Sequence, residues 1–256
     1  MIGNDLVLAD RLGLWGNMDD FAVEDLIERL DQLHARGPIP FDAKSGEILG
    51  ILCPHNQSRQ TLIAILMTTL FPVPEFAEHS ALAISGNLGD VRRGMGIVLQ
   101  DPVLDPARTA RENLEFYARL HGLDDRTRKR RIPDIIEFFG LSQVADTMAG
   151  TYSLSTMKQL EIARAYVAYP HVLFLAEPTG GLDDSECRDI QDLLKRLNRE
   201  RRVTIIFTTG DMGTTAAFCD RVAVMDGCEI IALDTPETFC AMMKTDGVLS
   251  ELGDLP

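Results

Sequence analysis

Two short apolar runs limit what this chain can fold into. They are EILGILC at residues 47–53 and VLFLA at residues 172–176. Runs of this length with almost no polar residue are typical of strands that are buried on both faces of a sheet. Further strands are predicted at residues 5–9, 96–100, 203–208 and twice within 221–232. Because helical patterns separate most of these strands, the sequence predicts an α/β fold with a mostly parallel sheet.

Helices are predicted where apolar residues recur every three or four positions. These segments are residues 20–35, 60–70, 112–122, 132–140, 157–169, 184–199 and a short one near 213–219. The first of them lies in an amphipathic insertion at residues 18–38, which ends at Gly37-Pro38. This insertion is either a surface helix, a contact for a partner subunit or a lid over a neighbouring site.

Composition and charge bound the class of protein. The chain has 256 residues, of which 45% are hydrophobic, enough for one sizeable core or for a core plus a small subdomain. Its net charge is −14, whereas proteins that bind nucleic acid are usually basic, so neither DNA nor RNA is expected as a partner. The basic run from Arg126 to Arg131 is interpreted as a solvated helix face.

The five cysteines are scattered and include no C-x-x-C pair. This pattern indicates a reducing cytosol without a disulfide framework or a zinc site, and no metal-ligating residues are assigned. No apolar run reaches the roughly 18–20 residues that span a bilayer, and the first residues lack the pattern of a signal peptide. Any association with a membrane is therefore expected to be peripheral, at its cytoplasmic face, and mediated by a partner.

Residues 46–62, GEILGILCPHNQSRQTL, combine a buried strand with a turn and the start of a helix. Four phrases follow in order: ENLEFYARLHGL from residue 112, TYS and LEIARAY from residue 151, LFLAEPTGGLD from residue 173, and CDRVAVMDG from residue 219. In these motifs the chain resembles the nucleotide-binding ATPase subunits of ABC transporters, and most of all those of the ABC-2 exporter type. The resemblance covers residues 1–17 and 39–240.

The resemblance implies a fold and its division. A RecA-like P-loop cassette core with a mostly parallel sheet would comprise residues 1–100 and 157–235, with the insertion at 18–38. A helical subdomain would span residues 101–156, and residues 236–256 would form a C-terminal tail.

The phosphate-binding loop of the family is rich in glycine because its backbone curls closely around the phosphates. Here the glycine positions hold Cys53, Asn56 and Ser58. Arg59 stands at the lysine position and Gln60 at the position of the magnesium-binding hydroxyl, while Thr61 matches the contact to the α-phosphate. A non-glycine residue at such a position costs about 1–3 kcal/mol. ATP with magnesium is therefore expected to bind weakly or not at all.

Other positions depart from the catalytic pattern that the family implies. Ala176 replaces the aspartate that orders magnesium, and Gly210 replaces the switch histidine. Glu177 stands at the position of the general base, where it is expected to be idle without a metal-bound nucleotide; a hydrogen bond with nearby backbone is its alternative role. The signature motif retains Ser153 but loses both glycines after it.

Several binding positions match the family. Trp15 corresponds to the aromatic residue that stacks on adenine, although packing is its alternative role. Gln100 corresponds to the Q-loop, and Asp183 to the D-loop at the dimer interface. The full set of nucleotide-binding candidates is Trp15, Arg59, Gln60, Thr61, Gln100, Ser153 and Asp183.

These features predict a degenerate nucleotide-binding subunit that docks on an integral-membrane permease and pairs with a second, intact ABC ATPase subunit; a homodimer is the other arrangement. Its own ATP hydrolysis is expected to be weak or absent. The docking groove is predicted from residues 100–106 and from the helix with Leu114, Phe116, Tyr117 and Leu120. Two alternatives remain: a catalytically active ABC ATPase with unusual motifs, and a soluble cassette without a transporter.

Overall fold

The computed structural model describes residues 42–53, 94–100, 102–226 and 229–242. The predicted strand at residues 5–9, the insertion at 18–38 and the predicted helix at 60–70 lie outside the described residues.

The described residues form one sheet whose strands follow the predicted apolar runs. The strands are β1 (Ile48–Leu52), β2 (Met95–Val98), β3 (Val172–Ala176), β4 (Thr204–Thr209), β5 (Arg221–Asp226) and β6 (Glu229–Asp234). Their order across the sheet is β2-β3-β4-β1-β5-β6. Every neighbouring pair is parallel except β5 and β6, which run antiparallel. The prediction of a mostly parallel sheet is therefore confirmed.

Helices connect these strands and cover the sheet. They are α1 (Ala110–Leu120), α2 (Asp125–Phe138), α3 (Leu154–Tyr166), α4 (Asp184–Arg201) and α5 (Met212–Phe218), with a 3-10 turn at Ala149–Thr151 before α3. A capping box begins α1, because the side chains of Thr109 and Glu112 each accept a hydrogen bond from the other's backbone N–H.

Helix α2 starts seven residues before the predicted boundary at residue 132, and local polar contacts explain the difference. The carboxylate of Asp124 caps the helix by accepting from the N–H of Thr127 at 2.9 Å. The basic run then lies in the first half of α2, and it is only partly the solvated face that its charge predicted. Arg128 is turned inward, with its Nε 2.8 Å from Glu115 of α1. The guanidinium of Arg131 lies 4.1 Å from the ring centre of Tyr169.

The core lies on both faces of the sheet because side chains alternate along each strand. On one face, Leu52 and Phe207 belong to the main cluster, which includes buried residues of α1 to α4. On the other face, Ile51 and Phe174 form a smaller cluster with residues of β5. Helix α3 packs closely on β2, since a Cβ added at Gly96 would lie 2.3 Å from the carbonyl oxygen of Ala165. This packing fixes α3 relative to the sheet.

A polar joint connects α2 with α4 and with the segment after α3. Asp134 of α2 accepts hydrogen bonds from Arg201 and from the hydroxyl of Tyr169, each at 2.8 Å. Burial alone would raise the pKa of Asp134, but these hydrogen bonds and the charge of Arg201 outweigh it and lower that pKa. Burial and the bond to Asp134 raise the pKa of Tyr169 to about 12. The joint holds the two helices together near their contact with the core.

Candidate functional site

The carboxyl ends of β1, β3 and β4 meet at one edge of the sheet. Ala176 at the end of β3 lies opposite Thr208 of β4, and Leu52 of β1 lies opposite Thr209. The N–H of Cys53 continues this pairing by donating to the carbonyl of Thr209 at 2.9 Å. Parallel α/β sheets bind their ligands at the carboxyl ends of the strands. This edge is therefore the candidate site.

At the centre of the edge, a methyl group stands beside a buried hydroxyl. Ala176 is 1% exposed, and its register partner Thr208 is fully buried. The Thr208 Oγ1 atom makes no hydrogen bond with the described residues. Burying a hydroxyl without a partner costs about 1–3 kcal/mol. The edge thus keeps a buried hydroxyl that no described residue satisfies.

Glu177 follows β3 in a strained conformation and makes hydrogen bonds through its N–H, its carbonyl and its carboxylate. Its φ of 48° lies in the left-handed region, which costs a non-glycine residue roughly 1–2 kcal/mol. Its N–H donates to the Thr208 carbonyl at 3.1 Å, and its carbonyl accepts from Lys158 Nζ at 3.2 Å. Its Oε1 accepts from the N–H of Gly210 at 3.2 Å. The carboxylate at the predicted base position therefore binds the backbone at the predicted switch position.

The turn from β4 into α5 also closes on its own backbone. The N–H of Asp211 donates to Thr209 Oγ1 at 3.1 Å. The Asp211 carboxylate caps α5 by accepting from the N–H groups of Gly213 and Thr214 at 3.0 and 2.8 Å. Gly210 contributes no side chain at this turn, and the Glu177 and Asp211 carboxylates both accept hydrogen bonds from the turn's backbone N–H groups.

The segments around Ser153 and Asp183 lie at the starts of two helices. Ser153 caps α3, with its Oγ accepting from the N–H of Thr156 at 3.2 Å. Asp183 caps α4 and accepts from Ser185 and Glu186 at 2.9 Å each. The exposed side chain of Leu154 reaches over the loop before α4, where a Cβ added at Gly181 would lie 3.3 Å from Leu154 Cδ2. The two loops are therefore neighbours.

A second region lies in the loop that follows β2, and it also contacts α3. We call residues 102–106 the docking loop. Glu161 of α3 anchors it, because Glu161 Oε1 accepts from the N–H groups of Val103 and Leu104 at 2.8 and 3.2 Å. The hydroxyl of Tyr117 in α1 donates to the Val103 carbonyl at 2.8 Å.

Three apolar side chains in the docking loop and in α1 are exposed: Val103 and Phe116 at 41% and Leu120 at 65%. We call these three residues the apolar docking face. Two residues of the predicted groove are not part of it, since Leu104 is only 9% exposed and Leu114 is fully buried. The prediction that both line the groove was wrong, because an apolar pattern alone does not separate a core residue from a surface residue beside it. Leu104→Asp would therefore damage the core as well as any docking contact.

Comparison with known proteins identifies the family. Residues 37–180 match the sequence profile described as ABC transporter. The chain belongs to the ABC transporter family. It is 29% identical over 211 residues to the linearmycin resistance ATP-binding protein LnrL of Bacillus subtilis, covering 82% of this chain and 68% of LnrL. It is 30% identical over 239 residues to the Nod factor export ATP-binding protein I of Ralstonia nicotianae, covering 93% and 74% of the two chains.

Solved ABC cassettes share the fold. The cbiO1 protein of Clostridium perfringens, part of the ABC transporter complex cbiONQ, superposes with a TM-score of 0.68 at 23% identity, over 85% of this chain and 87% of that one. The ATP-binding cassette MJ0796, in a dimer bound to ADP and Pi, superposes with a TM-score of 0.61 at 22% identity, over 79% and 90% of the two chains. The RecA-like P-loop cassette fold predicted from the sequence is therefore confirmed.

The family binds ATP with magnesium, and the described edge can be tested for its fit to that ligand. At position 176 the chain offers a methyl group where a metal needs a carboxylate, and Glu177 is bonded to the backbone of Gly210. Magnesium is usually bound through one or two carboxylates together with the phosphates of the substrate. Of these two residues, Ala176 offers no ligand to such a metal, and Glu177 offers a carboxylate that is bonded to the chain's own backbone.

The predicted nucleotide-binding residues divide into two groups. Trp15, Arg59, Gln60 and Thr61 lie outside the described residues, so their roles stay predictions. Gln100 lies at an exposed bend after β2, and Ser153 and Asp183 cap helices as described above. Sequence reasoning missed Lys158 and Glu161 as structural partners of the two regions. The available signal was two charged residues three positions apart in a helix with many apolar residues.

Proposed function

We propose that this chain is a degenerate nucleotide-binding subunit of an ABC exporter. It docks on a membrane permease at the cytoplasmic face, pairs with a second ATPase subunit, and hydrolyses ATP weakly or not at all. Membership of the family and the export and resistance names of its relatives support the role as a transporter subunit. Within the described residues, no helix combines the length and hydrophobicity that a bilayer crossing requires.

The observation that carries the proposal of weak hydrolysis is the pair of residues at the end of β3. Ala176 cannot hold a metal, and the Glu177 carboxylate accepts a hydrogen bond from the Gly210 N–H. A general base must lie within hydrogen-bond reach of the water that it activates. Glu177 would have to leave Gly210 before it could take that role, and Gly210 offers no imidazole to orient the γ-phosphate. The bonded carboxylate of Glu177 and the missing imidazole at position 210 both weaken the attack of water on the γ-phosphate.

The proposal of a second, intact ATPase subunit follows from this weakness. If the edge of this chain does not turn over ATP, the energy for transport has to come from another site. The exposed Leu154 at the start of α3 supports the same arrangement, because an apolar side chain at this helix start suits a protein contact better than a phosphate contact.

The decisive experiment measures magnesium-dependent phosphate release by the purified chain and by its Glu177→Gln variant. We expect equal rates, because Glu177 does not act as a base in the proposed state. Turnover that is clearly above background and lost in Glu177→Gln would overturn the proposal. Trp15 is the single tryptophan of the chain and the predicted adenine contact, so its fluorescence would report nucleotide binding at that position in the same samples. We expect little change at millimolar MgATP.

One observation favours the alternative of an active ATPase. Strained backbone often marks active sites, and Glu177 has the left-handed φ of 48°. In that case ATP binding would release the Glu177–Gly210 bond. A saturable fluorescence change at micromolar nucleotide, lost in Trp15→Ala, together with turnover that requires Glu177, would establish this alternative.

A further inference from the structure

Three charged side chains form a buried row along α3. Lys158, Glu161 and Arg164 are spaced by three residues, so they lie along one side of the helix. Lys158 is 8% and Glu161 2% exposed, and the side chain of Arg164 is 11% exposed. Charged residues are almost never buried unless they are paired. The hydrogen-bond partners of these three side chains therefore show which segments of the chain they hold in place.

Glu161 uses both carboxylate oxygens. Its Oε1 receives the N–H groups of Val103 and Leu104, as described above, and its Oε2 lies 2.9 Å from Arg164 Nε. A hydrogen bond to a charged acceptor is stronger than one between neutral groups. Because Leu104 is buried, its N–H would lose its described partner without Glu161. Two successive amides of the docking loop thus depend on one side chain.

Arg164 connects the same loop to the strand before it and to α1. Its Nη2 donates to the carbonyl of Ile97 in β2 at 2.9 Å. Its guanidinium lies 4.9 Å from the ring centre of Tyr117, whose hydroxyl donates to the Val103 carbonyl. The contacts close a ring in which Val103 is held at its N–H by Glu161 and at its carbonyl by Tyr117. Val103 is itself part of the apolar docking face.

We infer that Glu161 is the residue that positions the docking loop, with Arg164 holding the Glu161 carboxylate in place. The loop thereby presents Val103 in one fixed place against Tyr117 of α1, and a partner meets a prearranged surface. Prearrangement lowers the cost of ordering a contact when it forms. This inference rests on the proposed function only in taking residues 102–106 as the contact for the permease.

Amide hydrogen exchange of the isolated chain tests the positioning role directly. In Glu161→Ala we expect the Val103 and Leu104 amides to exchange about 10- to 100-fold faster, because each loses a hydrogen bond to a charged acceptor. Glu161→Gln keeps one oxygen as an acceptor and should give a smaller increase. If Glu161→Ala does not fold, the Glu161→Gln variant carries the test. Unchanged exchange at both amides in the folded variant would overturn the inference.

A matched control removes a carboxylate–arginine pair elsewhere in the chain. Asp146 lies 2.7 Å from Arg111 on the surface, and Asp146→Asn should leave the exchange at Val103 and Leu104 unchanged. A general loss of stability would instead raise exchange at buried amides of the sheet, such as Phe207, as much as at the loop. An equal rise at Phe207 and Leu104 would show that Glu161 acts on the whole fold and would overturn the positioning role.

A second measurement connects the loop to docking. In cells that make the whole transporter, we expect the membrane-bound fraction of Glu161→Gln to fall several-fold relative to Asp146→Asn. Faster loop exchange with an unchanged bound fraction would overturn the role of Glu161 in docking. Failure of the proposed function would give a different result, because Phe116→Asp, which leaves the Glu161 contacts in place, would then also remain on the membrane.

Discussion

The carboxyl edge of the sheet and the docking loop each contact one buried charged side chain of α3. They differ in what their polar groups bind and in what they leave exposed. At the edge, Lys158 holds the carbonyl of Glu177, whose carboxylate is bonded to Gly210. At the loop, Glu161 holds the amides of Val103 and Leu104, and the Val103 side chain is exposed. At the edge, the carboxylates of Glu177 and Asp211 bind nearby backbone, whereas the loop region presents apolar side chains to the outside. We therefore expect changes at the loop to affect assembly more than changes at the edge.

Phe116→Asp should reduce membrane association more than any other change, and it alters the apolar docking face without touching the edge. In Phe116→Asp, a carboxylate would have to lose its water against the permease, which costs several kcal/mol unless it is paired. Because Phe116 is 41% exposed and its ring contacts Arg108 and Tyr117, we expect a small loss of stability and a chain that still folds. We expect the membrane-bound fraction to fall at least tenfold, with an unchanged circular dichroism spectrum. The measurement is immunodetection of the chain in washed membranes and in the soluble fraction.

The matched change at the other region is Arg59→Ala in the phosphate-binding loop. It removes a positive charge from the predicted nucleotide contacts and should leave the membrane-bound fraction as it is. The comparison would be reversed, and the docking face misassigned, if Arg59→Ala left the membrane while Phe116→Asp stayed bound.

The sequence predicted the sheet well because its strands are buried on both faces, and a run such as VLFLA at residues 172–176 coincides with β3 residue for residue. It predicted less well where one polar contact decides the structure. The cap at Asp124 moved the start of α2, and the burial of Leu104 depends on tertiary contacts that periodicity does not contain. At the candidate site, the replaced residues at 176 and 210 are visible in the sequence, but the bond between Glu177 and Gly210 is not.

A smaller effect is expected at the joint between α2 and α4, which belongs to neither region. The pKa of Asp134 is lowered, so its contribution to stability is present above the usual aspartate pKa of about 3.9 and is lost as the pH falls through the lowered value. The side chain is 41% exposed, and solvent screening limits this contribution to at most about 1 kcal/mol. In urea unfolding, Asp134→Asn should therefore be less stable than the parent chain near pH 7. The difference in unfolding free energy should shrink as the pH falls below the usual aspartate pKa of about 3.9.

The control for the joint is Asp192→Asn on the exposed side of α4. The Asp192 carboxylate lies 4.0 Å from Lys195 and is 79% exposed. We expect this variant to match the parent chain at both pH values. A loss of stability in Asp134→Asn that is the same at both ends of the pH range would mean that the charge of Asp134 is not what stabilises the joint.

Backbone strain can be compared between the edge and the rest of the fold at two residues with left-handed backbone, Glu177 and Arg202. Arg202 ends α4 with a φ of 57°, and Glu177 has a φ of 48°. At the exposed Arg202, glycine should stabilise the chain by about 0.5–1 kcal/mol, since the strain of about 1–2 kcal/mol exceeds the entropy that glycine loses. Glu177→Gly would relieve similar strain but would lose the bond to Gly210, so we expect no gain. Thermal unfolding of both variants measures the difference, and an equal gain at Glu177 would show that its carboxylate contributes nothing to the fold.

The smallest effect is expected from a partial repair of the edge. Arg59→Lys with Gln60→Thr restores two groups that the family uses on the phosphates and the metal, and it leaves Ala176 and Gly210 unchanged. Groups that act as a unit in catalysis are strongly non-additive, so restoring some of them returns little activity while others are missing. The Glu177 carboxylate would also remain bonded to the Gly210 N–H. We therefore expect phosphate release by the double variant to equal that of the same variant carrying Glu177→Gln. Turnover that needs Glu177 in this background would mean that the edge is held ready for catalysis by the fold, and that the phosphate-binding loop alone keeps it inactive.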